Sequence, residues 1–212
     1  MELRTSADLR SVYLMPKQGP IDKVIHRLDQ HCVDFLARSP FFVLSSANDH
    51  GVCDGSPKGG QPGFVRVLDE HRLAWADFAG NNRLDSFENI VTNPSVALLF
   101  FIPGLDETLR VNGRAQLHTG SDLCSQFAID GRSARVVVVV SVEEAYIHCA
   151  KSFRRAGLWS PDKWPAPDAL PNIACVVKDH ARLEFDTEVI EAARERDLQE
   201  TLWKPGGVAR DS

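Results

Sequence analysis

The chain has 212 residues, 43% of them hydrophobic and 25% charged, a balance that supports a packed core and leaves little room for extended disorder. Its formal net charge of −5 gives no long-range attraction to nucleic acid or to anionic membranes, although a local basic pocket can still hold one phosphate. The opening residues MELRTSADLRSVY contain acids and no apolar run, so neither a secretory signal nor a membrane anchor is expected and a cytoplasmic location follows.

From Pro20 to Arg38 the apolar residues Ile21, Val24, Ile25, Leu28, Cys32, Phe35 and Leu36 recur at three- and four-residue spacing, which predicts one amphipathic helix. Pro40 ends it, and FFVLSSA at 41–47 reads as a strand running into the turn Asn48-Asp49-His50-Gly51. Residues 54–63, DGSPKGGQPG, hold four glycines and two prolines, so a loop without regular structure is expected there. Phe64–Leu68 and Leu73–Ala76 flank a tight polar turn and predict a hairpin.

After Gly80, NNRLDSFENIVTNP offers Asn81 or Asn82 as an N-cap, with Leu84, Phe87 and Val91 on one face and Asn93-Pro94 as the stop, a helix of about three turns. Three β-rich runs follow, VALLFFI at 96–102, TLRVNGRAQL at 108–117 and RVVVVVSV at 135–142. The five valines at 136–140 are too few to cross a bilayer and suit a strand buried on both faces. Residues 143–155 are helix-compatible, 159–171 are proline-rich, and 173–203 read as one or two helices. Closely spaced strands commonly close into a barrel, because closure removes exposed edges. The expected fold class is therefore mainly β, a β-barrel with peripheral helices, over one domain spanning 1–212.

Two segments point to an anionic ligand. Ser56 and Lys58 place a hydroxyl and an ammonium in the glycine-rich stretch, where backbone N–H groups are also free to turn toward a phosphate. GNNR at 80–83 opens a helix, whose unsatisfied N–H groups attract anions and whose Arg83 can bind one bidentately. Taken singly, the first is equally a plain surface loop and the second an ordinary capped helix. Only the hairpin separates them, so a sheet can bring both to one side as two cationic anchors for a phosphate monoester.

From SPKGGQPGFVRVLDE through GNNRLDSFENIVTNPSVALLF to ETLRVNGRA, the chain resembles the pyridoxamine 5′-phosphate oxidase-like proteins, over roughly residues 40–160. The resemblance implies an FMN-binding split barrel with an N-terminal helix and a C-terminal helical extension over about 165–205. It further implies a homodimer with the flavin site at the subunit interface, and an oxidoreductase acting on a small molecule. By resemblance Gly80, Asn81, Asn82 and Arg83 hold the FMN phosphate, with Lys58 and Ser56 in the role of the family's basic strand residue and Arg66 as a competing match. Thr108 corresponds to the polar residue that approaches the ring, and Trp159, Lys151 and Arg155 are candidates for reaching over from the second chain. The ending LWKPGGVARDS departs from the Arg-Leu-x-Pro-like finish of authentic pyridoxamine 5′-phosphate oxidases, which argues against vitamin B6 oxidation. Rival readings are a deazaflavin F420 or haem-using split barrel, a flavin-binding sensor without turnover, and an interaction module that binds nothing.

No catalytic acid or base is singled out, and no metal site is expected. His26 and His31 stand about 140° apart on a helix, and His148-Cys149 lacks the geometry of a thiol with its base. The five cysteines Cys32, Cys53, Cys124, Cys149 and Cys175 form no CxxC pair and are expected as reduced, mostly buried thiols. The mixed charges from Glu191 to Asp197 read as a solvated helix face.

Overall fold

The structure, a computed structural model, describes residues 2–129 and 131–207. In chain order it runs α1 (Ser6–Val12), α2 (Gln18–Asp22), α3 (Gln30–Leu36), β1 (Phe41–Ala47), β2 (Cys53–Gly59), β3 (Arg66–Asp69), β4 (Arg72–Ala76) and α4 (Asp85–Thr92). It continues with β5 (Ser95–Phe101), β6 (Thr108–His118), α5 (Ser121–Cys124), β7 (Ala128–Ile129), β8 (Arg132–Ser133), β9 (Val137–His148), α6 (Lys151–Ala156), α7 (Ile173–Ala181) and α8 (Thr187–Thr201). Seven strands form one antiparallel sheet in the order β2-β1-β5-β6-β9-β4-β3, with β7 and β8 as a separate ribbon.

Alternation along the strands sorts the side chains. Phe42, Leu44, Leu98, Phe100, Leu109, Val111, Val138 and Val140 enter one cluster with Trp75 and the helix residues Leu36 and Ile90, while Val137 and Val139 turn the other way onto Phe127, Ile129 and Cys124. The valine run is thus buried on both faces, as its composition predicts. Phe42 anchors the centre: its ring lies 5.0 Å from Trp75 edge-on and 4.9 Å from Phe100. The split-barrel class expected from the sequence is the class observed.

Four local expectations give way to tertiary contacts. The single helix over 20–38 is two short ones, because Ile25 exchanges backbone hydrogen bonds with Ala145 (3.0 and 2.8 Å) and Leu28 N–H donates to Glu70 O at 2.7 Å. Asp29 then starts α3 afresh by accepting from Cys32 N–H at 2.9 Å. The stretch expected as a loop from 54 contains β2, paired with β1 through Phe42↔Lys58, Leu44↔Ser56 and Ser46↔Asp54. Its Pro57 is tolerated because β2 is an edge strand.

The helix expected from Asn81 or Asn82 begins only at Asp85, since Asn82 and Leu84 adopt left-handed φ of 57° and 61°. Residues 143–148, expected as helix, extend β9, where Asn112 donates to Glu144 Oε2 at 3.0 Å and Arg110 to Tyr146 OH at 2.9 Å across the pair. The cysteines also differ from expectation: Cys32 and Cys124 are buried, but Cys53, Cys149 and Cys175 are exposed. Burial pushes the Cys32 thiol up to about 11, leaving it unreactive at neutral pH.

Candidate functional site

The curled sheet leaves a gap between the β2 edge and the chain leaving β4, and a cavity of about 660 Å³ occupies it. From the β2 side come Asp54, Ser56 and Lys58; from the other come Trp75, Asp77 and the segment Gly80–Leu84; Phe87 of α4 and Gly206 and Gly207 near the C-terminus complete the wall. Register explains the β2 contribution. Asp54, Ser56 and Lys58 pair with Ser46, Leu44 and Phe42, so they lie on the face that carries the core, and at the sheet edge that face opens into the gap.

Lys58 is half-buried, and its ammonium donates to Ser56 Oγ at 2.9 Å and lies 5.9 Å from the centre of the Phe87 ring. Burial lowers its pKa below the ordinary lysine value, while the carboxylates of Asp77 and Asp54 act in the opposite direction. Asp54 accepts from the buried Ser86 hydroxyl at 2.5 Å. Arg83 is held by Asp85 at 2.8 Å, both side chains being exposed. Asp77 is half-buried, and desolvation raises its carboxyl to about 6 against the opposing pull of Lys58.

The 80–84 segment is built for contact through its backbone. Asn81 Oδ1 accepts from Arg83 N–H at 3.1 Å, and the left-handed residues Asn82 and Leu84 bracket Arg83. Backbone of this kind turns N–H groups into anion-binding concavities. Trp75, 1% exposed, belongs to the core and lines the cavity from that side, and its indole N–H is buried with no hydrogen-bond partner among the described residues. A buried donor without an acceptor is costly unless something brings one.

Ser56, Lys58, Asn81, Asn82 and Arg83 are thus brought together as the sequence suggests. Arg66, Thr108 and Trp159 lie elsewhere. Arg66 stacks at 4.7 Å over Phe127 and donates to Gln126 O at 2.5 Å, which ties β3 to the outer cluster. Thr108, 2% exposed, opens β6 opposite His148. Trp159 donates its indole N–H to Leu105 O at 2.9 Å and leans on Phe153. His26, placed between helices instead of within one, has Nδ1 2.8 Å from Glu143 O, and no cluster of metal-ligating side chains occurs among the described residues.

Sequence reasoning missed Trp75, Asp77, Asp54 and the C-terminal glycines. The first two were in reach: LAWAD places Trp75 and Asp77 two residues apart just before GNNR, so a strand that delivers one to an inner face can deliver the other. Gly206 was not, because its place depends on a backbone pairing across more than a hundred residues, Gly206 N–H to Asp77 O at 2.9 Å and Ala79 N–H to Lys204 O at 2.8 Å.

Fold and cleft together define a split barrel with a polar, nucleotide-sized cavity between its edges. A family model described as pyridoxamine 5′-phosphate oxidase matches residues 28–149, and the chain belongs to that family. No curated protein matches the chain. Among solved structures, it is similar to HupZ of Group A Streptococcus at 17% identity, with 56% of this chain and 92% of that one covered and a TM-score of 0.46. An FMN-binding protein from Syntrophomonas wolfei is similar at 7% identity, 57% and 88% coverage and a TM-score of 0.44. General Stress Protein 26 from Bacillus anthracis is similar at 15% identity, 54% and 88% coverage and a TM-score of 0.42. No helix among the described residues is long and apolar enough to cross a membrane.

Proposed function

We propose that the chain binds FMN in the cleft between β2 and the 77–84 segment and serves as an oxidoreductase for a small molecule. The observation that carries this is Lys58: a half-buried ammonium beside a hydroxyl, with no carboxylate within ion-pair distance among the described residues, facing a left-handed backbone segment across a cavity of about 660 Å³. That volume lies within the usual range of small-molecule and cofactor sites.

On this reading Lys58 and Ser56 hold the phosphate from the strand side and Asn81, Asn82 and Arg83 from the loop side. For Arg83 to take part it exchanges Asp85 for the phosphate, a bidentate partner of the same geometry. Trp75 and Phe87 wall the cleft and exclude water. When bound, FMN supplies the hydride and electron transfer chemistry, and the protein supplies binding and orientation.

The reading includes a homodimer with the site at its interface, and the whole of 1–212 acting as one unit. Support for a second copy lies at the sheet end bearing Thr108 and Trp159, where Phe41, Leu105, Ile147 and Leu158 are exposed beside the aromatic row Phe41, Phe101, Phe153 and Trp159. Trp159, Lys151 and Arg155 are the residues this end would bring to a partner's cleft. The test is the absorption spectrum of the purified chain, with mass spectrometry of any small molecule released on denaturation. Bands at about 370 and about 450 nm with released FMN support the reading; a colourless protein that stays colourless after FMN addition overturns it.

A further inference from the structure

We infer that Asp77 is the proton-holding residue of this cleft: an anion that binds at Lys58 is taken up together with one proton, which Asp77 carries. The inference rests on the cleft being a phosphate site, as proposed above, and adds to it a residue and a coupling.

Asp77 and Lys58 face one cavity from opposite edges of the barrel gap. They are not in contact, yet each acts on the other through the half-buried space between them. The Asp77 side chain has no hydrogen bond or ion pair among the described residues. It is also confined: a Cβ built on Gly206 would overlap Asp77 Oδ2, so the C-terminal segment closes against the carboxylate. Gly206 N–H, donating to Asp77 O at 2.9 Å, fixes that segment in place.

Among the described residues, Lys58 is the cation whose charge acts on Asp77. From β2 come Lys58, Asp54 and Ser56; from the segment after β4 come the neutral Asn81 and Asn82, and Arg83 already held by Asp85. The described part of the C-terminal segment presents the backbone of Gly206 and Gly207 here, and Arg135 donates to the Gly207 carbonyl. Next to β9, Val136 supplies a carbonyl that accepts the Asp77 N–H at 3.0 Å. Lys58 is therefore what favours the ionised form of Asp77, and burial already pushes that carboxyl up to about 6 with Lys58 in place.

An anion seated on Lys58 cancels its field and adds a negative charge of its own. Asp77 and Asp54 would then face that anion around one ammonium in a partly desolvated cleft, and the least costly relief is a proton from solvent on Asp77. The resulting neutral carboxylic acid becomes a donor next to the bound ligand. Binding and protonation are linked reciprocally, so affinity weakens as pH rises once Asp77 ionises in the free cleft.

The test is calorimetric titration of FMN into the flavin-free full-length chain at pH 7.5, in two buffers of different ionisation enthalpy, with Asp77→Asn alongside. Proton uptake per FMN is expected to be larger in the wild-type chain than in Asp77→Asn by roughly half a proton or more, a difference from which any proton taken by the phosphate itself cancels. Asp77→Asn is expected to bind about tenfold tighter at pH 8 and to lose the fall in affinity between pH 6 and pH 8. Inorganic phosphate as a second probe is expected to show the same uptake at lower affinity. No proton uptake by the wild-type chain, or the same pH profile in both proteins, overturns the inference while FMN binding stands. Failure of both to bind FMN at any pH overturns the flavin reading and the inference with it.

Discussion

The hydroxyl of Ser86 on α4 donates to the carboxylate of Asp54 on β2 at 2.5 Å, and one turn further on Asn89 donates to Ser46 of β1 at 3.1 Å. These two bonds strap α4 across the sheet edge, so the helix that follows the 80–84 segment is held to the strand that carries Lys58. The two halves of the cleft are joined there by polar contacts made to one charged and one neutral acceptor.

Removing the Ser86 hydroxyl leaves the half-buried Asp54 carboxylate short of its partner. Ser86→Ala is expected to lower unfolding free energy by about 1.5–3 kcal/mol, the usual worth of a hydrogen bond to a charged group. Urea denaturation followed by circular dichroism measures it. A change within experimental error would mean that the bond does not organise this edge.

Lys58 and Arg83 should not be equal in the cleft. Lys58 is half-buried with no carboxylate at ion-pair distance among the described residues, whereas Arg83 is exposed and gives up Asp85 before it can serve a ligand. Lys58→Met is expected to weaken FMN binding by about 10–100-fold, and Arg83→Ala by less than about tenfold. Quenching of flavin fluorescence on titration reads both, and an equal loss in the two variants would contradict this ranking.

Much of this was legible in the sequence because it depends on short-range chemistry. The strand runs at 41–47, 96–102 and 108–117 alternate or are densely apolar, and the pairing of a lysine stretch with GNNR is visible from their separation by a hairpin. The failures share a cause. Glycines and Pro57 disguised β2, since its regularity comes from pairing with β1 and not from its own propensity. Ile25 broke a well-patterned helix because Ala145, far along the chain, offered two backbone hydrogen bonds. The spacing in LAWAD could have placed Asp77 at the cleft, but its importance lies in having no partner among the described residues, a property of the surroundings that no spacing encodes.

Gly113 marks a place where the sheet allows no side chain. The β6–β9 register shifts between Asn112 and Gly113, and a Cβ at this position would overlap Ser141 O, a backbone atom that cannot move without disturbing the central pair. Gly113→Ala is expected to cost about 2–4 kcal/mol, seen as a lower midpoint in urea. Wild-type stability would show that β9 can shift without penalty.

Asp77 gives the fold itself a pH dependence. Its carboxyl stands at about 6 in the folded chain against an ordinary value of 3.8, so the folded state binds the proton more tightly than the unfolded state. Below pH 3.8 both states are protonated and the group contributes nothing. Between 3.8 and about 6 the unfolded chain ionises first, and above that window the folded chain carries the full penalty of a half-buried charge. About two pKa units correspond to about 2–3 kcal/mol. Asp77→Asn, which keeps the shape and removes the charge, is therefore expected to stabilise the flavin-free chain by about 2–3 kcal/mol at about pH 8 and by nothing measurable at about pH 3.5. Urea unfolding of wild type and variant at the two pH values decides it. A gain that is the same at both would assign the effect to packing against Gly206, and a loss at the higher pH would mean that the attraction of Lys58 outweighs the desolvation of Asp77.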